Sequence, residues 1–257
     1  MTLFSCDGIT CAYDAAAEPA AKPVPVIEGV SIELPANGFV SLVGPSGVGK
    51  TTLFKALAGL KTPDHGRVLL DGEDITGKAG RVGYMPQKDM LFPFRTVLDN
   101  TILPLVIRGE KKKAAREKAS AYFPVFGLDG YQNRYPHELS GGMRQRAALL
   151  RTCMTANKVI LLDEPFSALD AITRAELQRW YEEMAARMGL ATIFITHDID
   201  EAVKLSDIVY LLGGKPGRVR LRQAVPVRHP RPPDFTLSPD FLTVKRDILA
   251  AMEEQDN

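Results

Sequence analysis

The chain of 257 residues is poor in cysteine, tryptophan and net charge, and each shortage narrows what it can be. Its three cysteines, Cys6, Cys11 and Cys153, are odd in number and form no C-x-x-C pair. A disulfide framework or cysteine metal site is therefore not expected, and reduced structural thiols are. Lys and Arg total 32 against 31 Asp and Glu, so no global electrostatic case exists for nucleic acid as a partner. No stretch approaches the roughly 18 apolar residues of a spanning helix, and the chain is not expected to cross a bilayer by itself. The N-terminus has no basic region followed by an apolar run, which argues against export. No internal repeat is visible.

What is present is a chain long enough for one large α/β domain or a core with an inserted subdomain. Gly44-Pro45-Ser46-Gly47-Val48-Gly49-Lys50-Thr51-Thr52 has the form G-x-x-x-x-G-K-[ST]. Glycines let successive backbone N–H groups turn inward around a β-phosphate, Lys50 reaches the β- and γ-phosphates, and the Thr51 hydroxyl can ligate Mg²⁺. The flanks suit this: Phe39–Val43 is short, apolar and β-branched, as a buried strand is, and Leu53, Leu57 and Leu60 recur at helical spacing afterwards. Phosphates would then sit at a helix N-terminus, where orphan donors and the dipole favour anions.

Residues 2–13 and 26–34 read as β, with an Ala- and Pro-rich loop between them. Arg67–Leu70 and Arg81–Met85 read as further strands. From Lys88 to Asn157 the patterning turns helical, which reads as an insertion between two halves of a sheet domain. Lys111-Lys112-Lys113 within it reads as a solvated helix face, with lipid headgroups as the sharper alternative. The sheet resumes at Val159–Leu162. A helix from about Thr173 places Leu177, Trp180, Met184 and Met188 at core spacing, with Gly189 as its stop. Strands at Ala191–Ile195 and Ile208–Leu212 flank a short helix from Asp198, and a turn at residues 213–217 leads to Arg218–Val227. Alternating strands and helices predict right-handed crossovers and a mainly parallel sheet. The tail after Arg228 is Pro-rich and ends in a short helix that reads as peripheral.

Asp163 and Glu164 close the apolar run Val159–Leu162, and the C-terminal ends of parallel strands are where ligands bind. Asp163 is placed to hold Mg²⁺ beside Thr51, and Glu164 to polarise an attacking water. His197, after the next strand, could sense a γ-phosphate, whereas His65, His137 and His229 read as surface residues. Gln87 can ligate Mg²⁺ or the water through its amide oxygen. Leu139-Ser140-Gly141-Gly142-Met143 opens another helix. Ser140 is a good N-cap, and the two glycines leave backbone bare at a positive helix end. One chain already has a complete phosphate cradle, so a second such surface suits the nucleotide of a neighbouring subunit.

Taken together, these residues resemble the ATP-binding subunits of ABC transporters over residues 1–227. Gly44–Thr52 resembles Walker A, Gln87 the Q-loop, Leu139–Met143 the signature motif and Val159–Glu164 Walker B. Ser167-Ala168-Leu169-Asp170 is similar to the D-loop, which adds Asp170 to the nucleotide-binding set, and His197 to the switch histidine. Tyr13 best matches the aromatic that stacks on adenine. The resemblance implies a P-loop ABC-type nucleotide-binding domain with a mainly parallel core sheet, an N-terminal antiparallel β subdomain and an inserted helical subdomain. Its core would be residues 1–87 and 158–227, the helical subdomain 88–157, and a peripheral tail 228–257. Two copies would close head to tail on two ATP molecules with Mg²⁺, each between a P-loop and the opposite Ser140-Gly141-Gly142, and Glu164 would support hydrolysis. The implied partners are a transmembrane permease and, indirectly, a solute-binding protein, with the chain peripheral at the cytoplasmic face of the inner membrane. Met143, where many relatives have Gln, together with residues 92–100, resembles the importer group for nitrate, sulfonate and taurine, including thiamine- and pyrimidine-precursor relatives. Phe92, Phe94 and Val97 are candidate contacts to the permease, or ordinary packing. A soluble ABC ATPase without a transporter and a P-loop kinase are the alternatives.

Overall fold

The computed structural model describes residues 2–12, 24–155 and 158–253. Strands β1 (Thr2–Ala12), β2 (Pro25–Pro35) and β3 (Phe39–Val43) precede α1 (Lys50–Leu57), and β4 (His65–Leu70), β5 (Glu73–Asp74) and β6 (Gly83–Met85) follow. Helices α2 (Val97–Thr101), α3 (Leu103–Ile107), α4 (Lys112–Ser120) and α5 (Gly141–Cys153) come next, then β7 (Val159–Asp163) and α6 (Ala171–Met188). After these run β8 (Ala191–Ile195), α7 (Ile199–Leu205), β9 (Ile208–Gly213), β10 (Arg218–Ala224) and α8 (Pro239–Glu253). The chain forms two compact units, Met1–Ala79 with Ala191–Asn257, and Gly80–Leu190.

In the first unit, β3 lies parallel to β8 on one side and to β9 on the other, and β10 runs antiparallel to β9. Every residue of β3 and β8 is buried, which is why both read as unbroken apolar runs. A second, antiparallel sheet has the order β2-β1-β4-β5. Its apolar positions are out of phase along β1: Phe4 and Cys6 are buried, then Ile9 and Cys11. The pairing slips between Cys6 and Ile9, where Gly8 takes a positive φ of 61°. One extra residue there restores the hydrophobic face, as a bulge does. The expected antiparallel N-terminal sheet is thus present, joined by β4.

Helix α1 stops earlier than its leucine spacing predicts. Gly59 at φ 71° reverses the chain and the Leu60 N–H donates to the Lys55 carbonyl at 2.8 Å, so Leu60 is left exposed. This is a glycine-terminated helix end. Within this unit, α8 packs Phe241, Val244 and Ile248 with Val43, Ala202, Val203, Val209 and Leu211.

In the second unit, β6 pairs parallel with β7, and five α-helices belong to it among the described residues. Asn100 is fully buried and organises the loop before α2: its amide donates to the carbonyls of Phe92, Arg95 and Thr96, and its oxygen accepts from the Phe92 N–H. Phe92 and Phe94 are held exposed on that loop, while Val97 is buried. On α6 the buried stripe is Leu177, Tyr181, Met184 and Ala185. Trp180, expected in that stripe, is half-buried, donating from Nε1 to the Val125 carbonyl at 3.1 Å under the Arg146 guanidinium 4.6 Å away. An indole carries a donor that needs a partner, which the apolar stripe does not offer. No helix among the described residues is long and apolar enough to cross a membrane.

Candidate functional site

The register of the first unit brings the phosphate loop and His197 onto neighbouring strands. Leu42 pairs with Ile195, and the Thr196 N–H donates to the Leu42 carbonyl at 3.3 Å. Residues 44–49 therefore leave β3 at the same sheet end from which His197 leaves β8. His197 is exposed, between buried Thr196 and the α7 N-cap Asp198, whose side chain accepts from the Glu201 N–H at 3.1 Å. Of the remaining histidines, His229 is not the surface residue its loop position suggests: its half-buried ring lies 5.8 Å from that of Phe39.

The loop has the form its glycines require. Gly47 and Gly49 sit at φ 80° and 107°, conformations in which a Cβ is strained. A Cβ on Gly49 would lie 2.4 Å from Ile27 Cγ2. Gly49 is also the N-cap residue of α1, which puts Lys50, Thr51 and Thr52 in that helix's first turn, where backbone donors have no intrahelical acceptor. Lys50 is buried and donates from Nζ to the carbonyls of Gly44 at 2.7 Å and Pro45 at 2.9 Å. Its ammonium thus lies folded back over the loop. Pro45, Ser46 and Gly47 are exposed along the loop, and Val48 is buried beneath it. The exposed, glycine-bearing backbone, the cation and the helix end fit a polyphosphate.

A second set lies in the other unit. Pairing of Tyr84 with Leu161 and Met85 with Leu162 puts Gln87 and Glu164, each two positions beyond the last pair, side by side. Gln87 Nε2 accordingly donates to Glu164 Oε2 at 3.0 Å. Glu164 takes φ 48°, a left-handed conformation uncommon outside glycine and often stored at functional positions. Ser167 Oγ donates to the Glu164 carbonyl at 3.0 Å and helps define that turn. Asp163 is buried, and Tyr84 Oη donates to its Oδ2 at 3.5 Å. Burial, and secondly the Asp163 charge, push the Tyr84 hydroxyl up to about 12, so it stays a donor at neutral pH. Nothing in the spacing of the sequence singled out Tyr84.

Ser140 is an N-cap, its Oγ accepting from the Met143 N–H at 3.3 Å at the start of α5. Gly141 and Gly142 follow at N1 and N2, and a Cβ on Gly142 would come 3.2 Å from Thr173 Cγ2. Asp170 caps α6, accepting from the Ile172 and Thr173 N–H groups at 3.1 Å each. A hydrogen bond from the Thr173 side chain, and after it the backbone bonds, hold its carboxyl below the usual range. A cleft of about 530 Å³ gathers Gln87, Asp89, Gly141, Arg144, Gln145 and Leu169. Gln145 is a residue the motifs missed: its side chain is buried and its Oε1 has no hydrogen-bond partner among the described residues. The only sequence signal for it was its place one turn into α5. Tyr13 falls outside the described residues.

Residues 27–167 match the model of the ABC transporter family. The chain is 37% identical over 233 residues to the formylaminopyrimidine import ATP-binding protein of Halalkalibacterium halodurans, covering 90% of this chain and 91% of that protein. It is likewise 37% identical over 230 residues to the aliphatic sulfonates import ATP-binding protein of Bacillus cereus, covering 90% and 89%. A solved dimeric ATP-binding cassette in a post-hydrolysis state, bound to ADP and Pi, superposes with a TM-score of 0.73 at 26% identity, covering 88% of this chain and all of that one.

Proposed function

The chain belongs to the ABC transporter family as one of its ATP-hydrolysing, ATP-binding subunits, and we propose that it powers an importer by closing with a second copy around two ATP molecules. The observation that carries dimeric closure is the second bare helix start. Ser140, Gly141 and Gly142 begin α5 with an oxygen cap and two half-buried residues that carry no side chain, in a chain that already has one glycine-rich loop leading into a helix. A surface of that kind meets the nucleotide of a partner copy. The importer assignment is supported by the two import relatives, each aligned over 90% of the chain.

In this reading Lys50 and the backbone of residues 44–49 hold the phosphates, Glu164 polarises the attacking water, and His197 contacts the γ-phosphate. Thr51, Gln87 and Asp163 supply only oxygen ligands, the donor chemistry Mg²⁺ favours. Bound there, the ion would neutralise charge developing on the phosphoryl oxygens. Asp170 and Tyr13 complete the proposed nucleotide set. The core of residues 1–87 and 158–227, the helical subdomain 88–157 and the tail 228–257 are the proposed domains.

The proposed partners are a membrane permease, which would carry the chain to the cytoplasmic face of the inner membrane, and a solute-binding protein that feeds it. Exposed Phe92 and Phe94 on the loop braced by Asn100 are suited to a permease contact. The solute would be a nitrate-, sulfonate- or taurine-like anion or a thiamine or pyrimidine precursor. The test is co-purification with a hydrophobic partner and ATP-driven uptake in membranes carrying Glu164→Gln. Abolished uptake is expected, and unchanged uptake would sink the assignment.

A further inference from the structure

We propose that Arg231 is a positioning residue for His197, assisted by Lys245: the C-terminal segment clamps α7 at both ends and thereby sets the direction in which the chain leaves His197. This rests on the reading above that His197 contacts the γ-phosphate. Helix α7 has seven residues, too few to hold its own axis, because isolated helices shorter than about 12 residues are marginal. Its last carbonyls also lack intrahelical donors.

Arg231 supplies those donors. Nη1 bonds the Val203 and Lys204 carbonyls and Nη2 the Ser206 carbonyl at 2.6 Å, while Nε bonds the Val227 carbonyl at 3.0 Å. The guanidinium stands 4.7 Å from the Phe235 ring centroid, and Phe235 meets Phe241 of α8 edge to face at 5.5 Å. A planar fork that satisfies four carbonyls and stacks on a ring leaves the end of α7 little freedom. At the other end Lys245 of α8 pairs with Asp200, in the first turn of α7, at 2.6 Å. That pair is partly solvent-exposed, so its share is small. Between the two ends, Ala202 and Val203 share a core with Phe235, Phe241, Val244 and Ile248.

His197 is the residue between two anchors. On its strand side the Thr196 N–H is bonded to β3; on its helix side Asp198 starts α7. The sheet fixes the first anchor, and the second is only as fixed as α7. Val43, the last residue before the phosphate loop, belongs to the same core cluster, so the segment after Arg228 braces the neighbouring strand end as well.

The experiment is a double-mutant cycle on ATP hydrolysis by the full chain, with ADP binding measured in parallel. Arg231→Ala should lower kcat by roughly tenfold, since a misplacement of about 1 Å costs up to about 10²-fold. ADP, which lacks the γ-phosphate, should bind as before. Arg231→Lys should fall between, and in a His197→Ala background Arg231→Ala should cost nothing further. An equal loss in both backgrounds, or a loss of ADP affinity matching the loss of kcat, overturns the proposal. If Arg231→Ala does not fold, Arg231→Lys decides: a loss of kcat that vanishes in the His197→Ala background supports the clamp, and no loss, or an equal loss in both backgrounds, overturns it. A normal rate in His197→Ala alone would refute the role of His197 itself, a failure distinct from additivity between the two sites.

Discussion

Gln87 donates its amide hydrogen to Glu164 Oε2 at 3.0 Å, tying the residue that opens the proposed helical subdomain to the carboxylate proposed as the water-polarising group. A base supplied from a strained turn at φ 48° and steadied by one amide depends on both. Glu164→Gln should lower phosphate release by about 10²- to 10⁴-fold, the usual worth of a positioned general base. It should keep ATP binding and, with hydrolysis blocked, accumulate an ATP-dependent dimer visible by light scattering. Gln87→Ala should give a smaller loss. A Glu164→Gln protein that releases phosphate normally excludes Glu164 from this role.

Lys50 is buried with its ammonium on the carbonyls of Gly44 and Pro45. Those bonds hold the cation in place, where it can transfer to phosphate oxygens. Charged hydrogen bonds are worth about 1.5–3 kcal/mol, so Lys50→Ala should weaken ATP binding by about 10- to 100-fold by calorimetry. Unchanged affinity would mean that backbone donors alone hold the nucleotide.

The legible parts of this protein were those whose chemistry is local in sequence. The conformation of residues 44–52, with glycines at positive φ, a buried lysine and a helix start, could be read because glycine spacing, cation and strand–helix flanks all lie within a few residues. The Ser140 cap was legible for the same reason, and Asp163 and Glu164 because an apolar run ends in carboxylates. What could not be read depends on pairing register. The Gln87–Glu164 and Tyr84–Asp163 bonds exist because β6 pairs with β7 in one alignment, which residue spacing across the helical insertion does not encode. The tail after Arg228 was opaque because proline density masks a single arginine that satisfies carbonyls more than 20 residues away in sequence. Leu60 and Trp180 show the limit of periodicity: a glycine two residues past a helix, or one indole donor, displaces a residue from an otherwise regular stripe.

Gly217 presses on the phosphate loop from outside it. Its N–H donates to the Val26 carbonyl at 2.8 Å and its carbonyl accepts from the Glu28 N–H at 2.9 Å, and a Cβ there would lie 2.1 Å from the Val48 carbonyl oxygen. The obstacle is backbone, which cannot swing aside as a side chain can. Gly217→Ala should destabilise by about 1–3 kcal/mol, as overpacking does, and displace Val48. A lowered Tm together with weakened nucleotide binding is expected, and an unaltered Tm would show that the turn has room.

Alkaline stability should depend on two thiols. Cys6 and Cys153 are buried, and burial pushes each up to about 12 from an ordinary value of 9.0. Cys6 also donates to the Val30 carbonyl at 3.6 Å. A thiol is neutral when protonated, so the folded chain holds these protons more tightly than the unfolded one does. Their contribution is therefore complete below about pH 9 and is lost as pH rises from there towards 12. At neutral pH the native thiols should resist thiol reagents, because the thiolate is the reactive form, and become reactive on denaturation. Thermal melts of the parent and of a Cys6→Ala, Cys153→Ala double variant, measured across that alkaline range, isolate the effect. The parent's Tm should fall more steeply than the variant's, and parallel curves would place the alkaline loss on other groups.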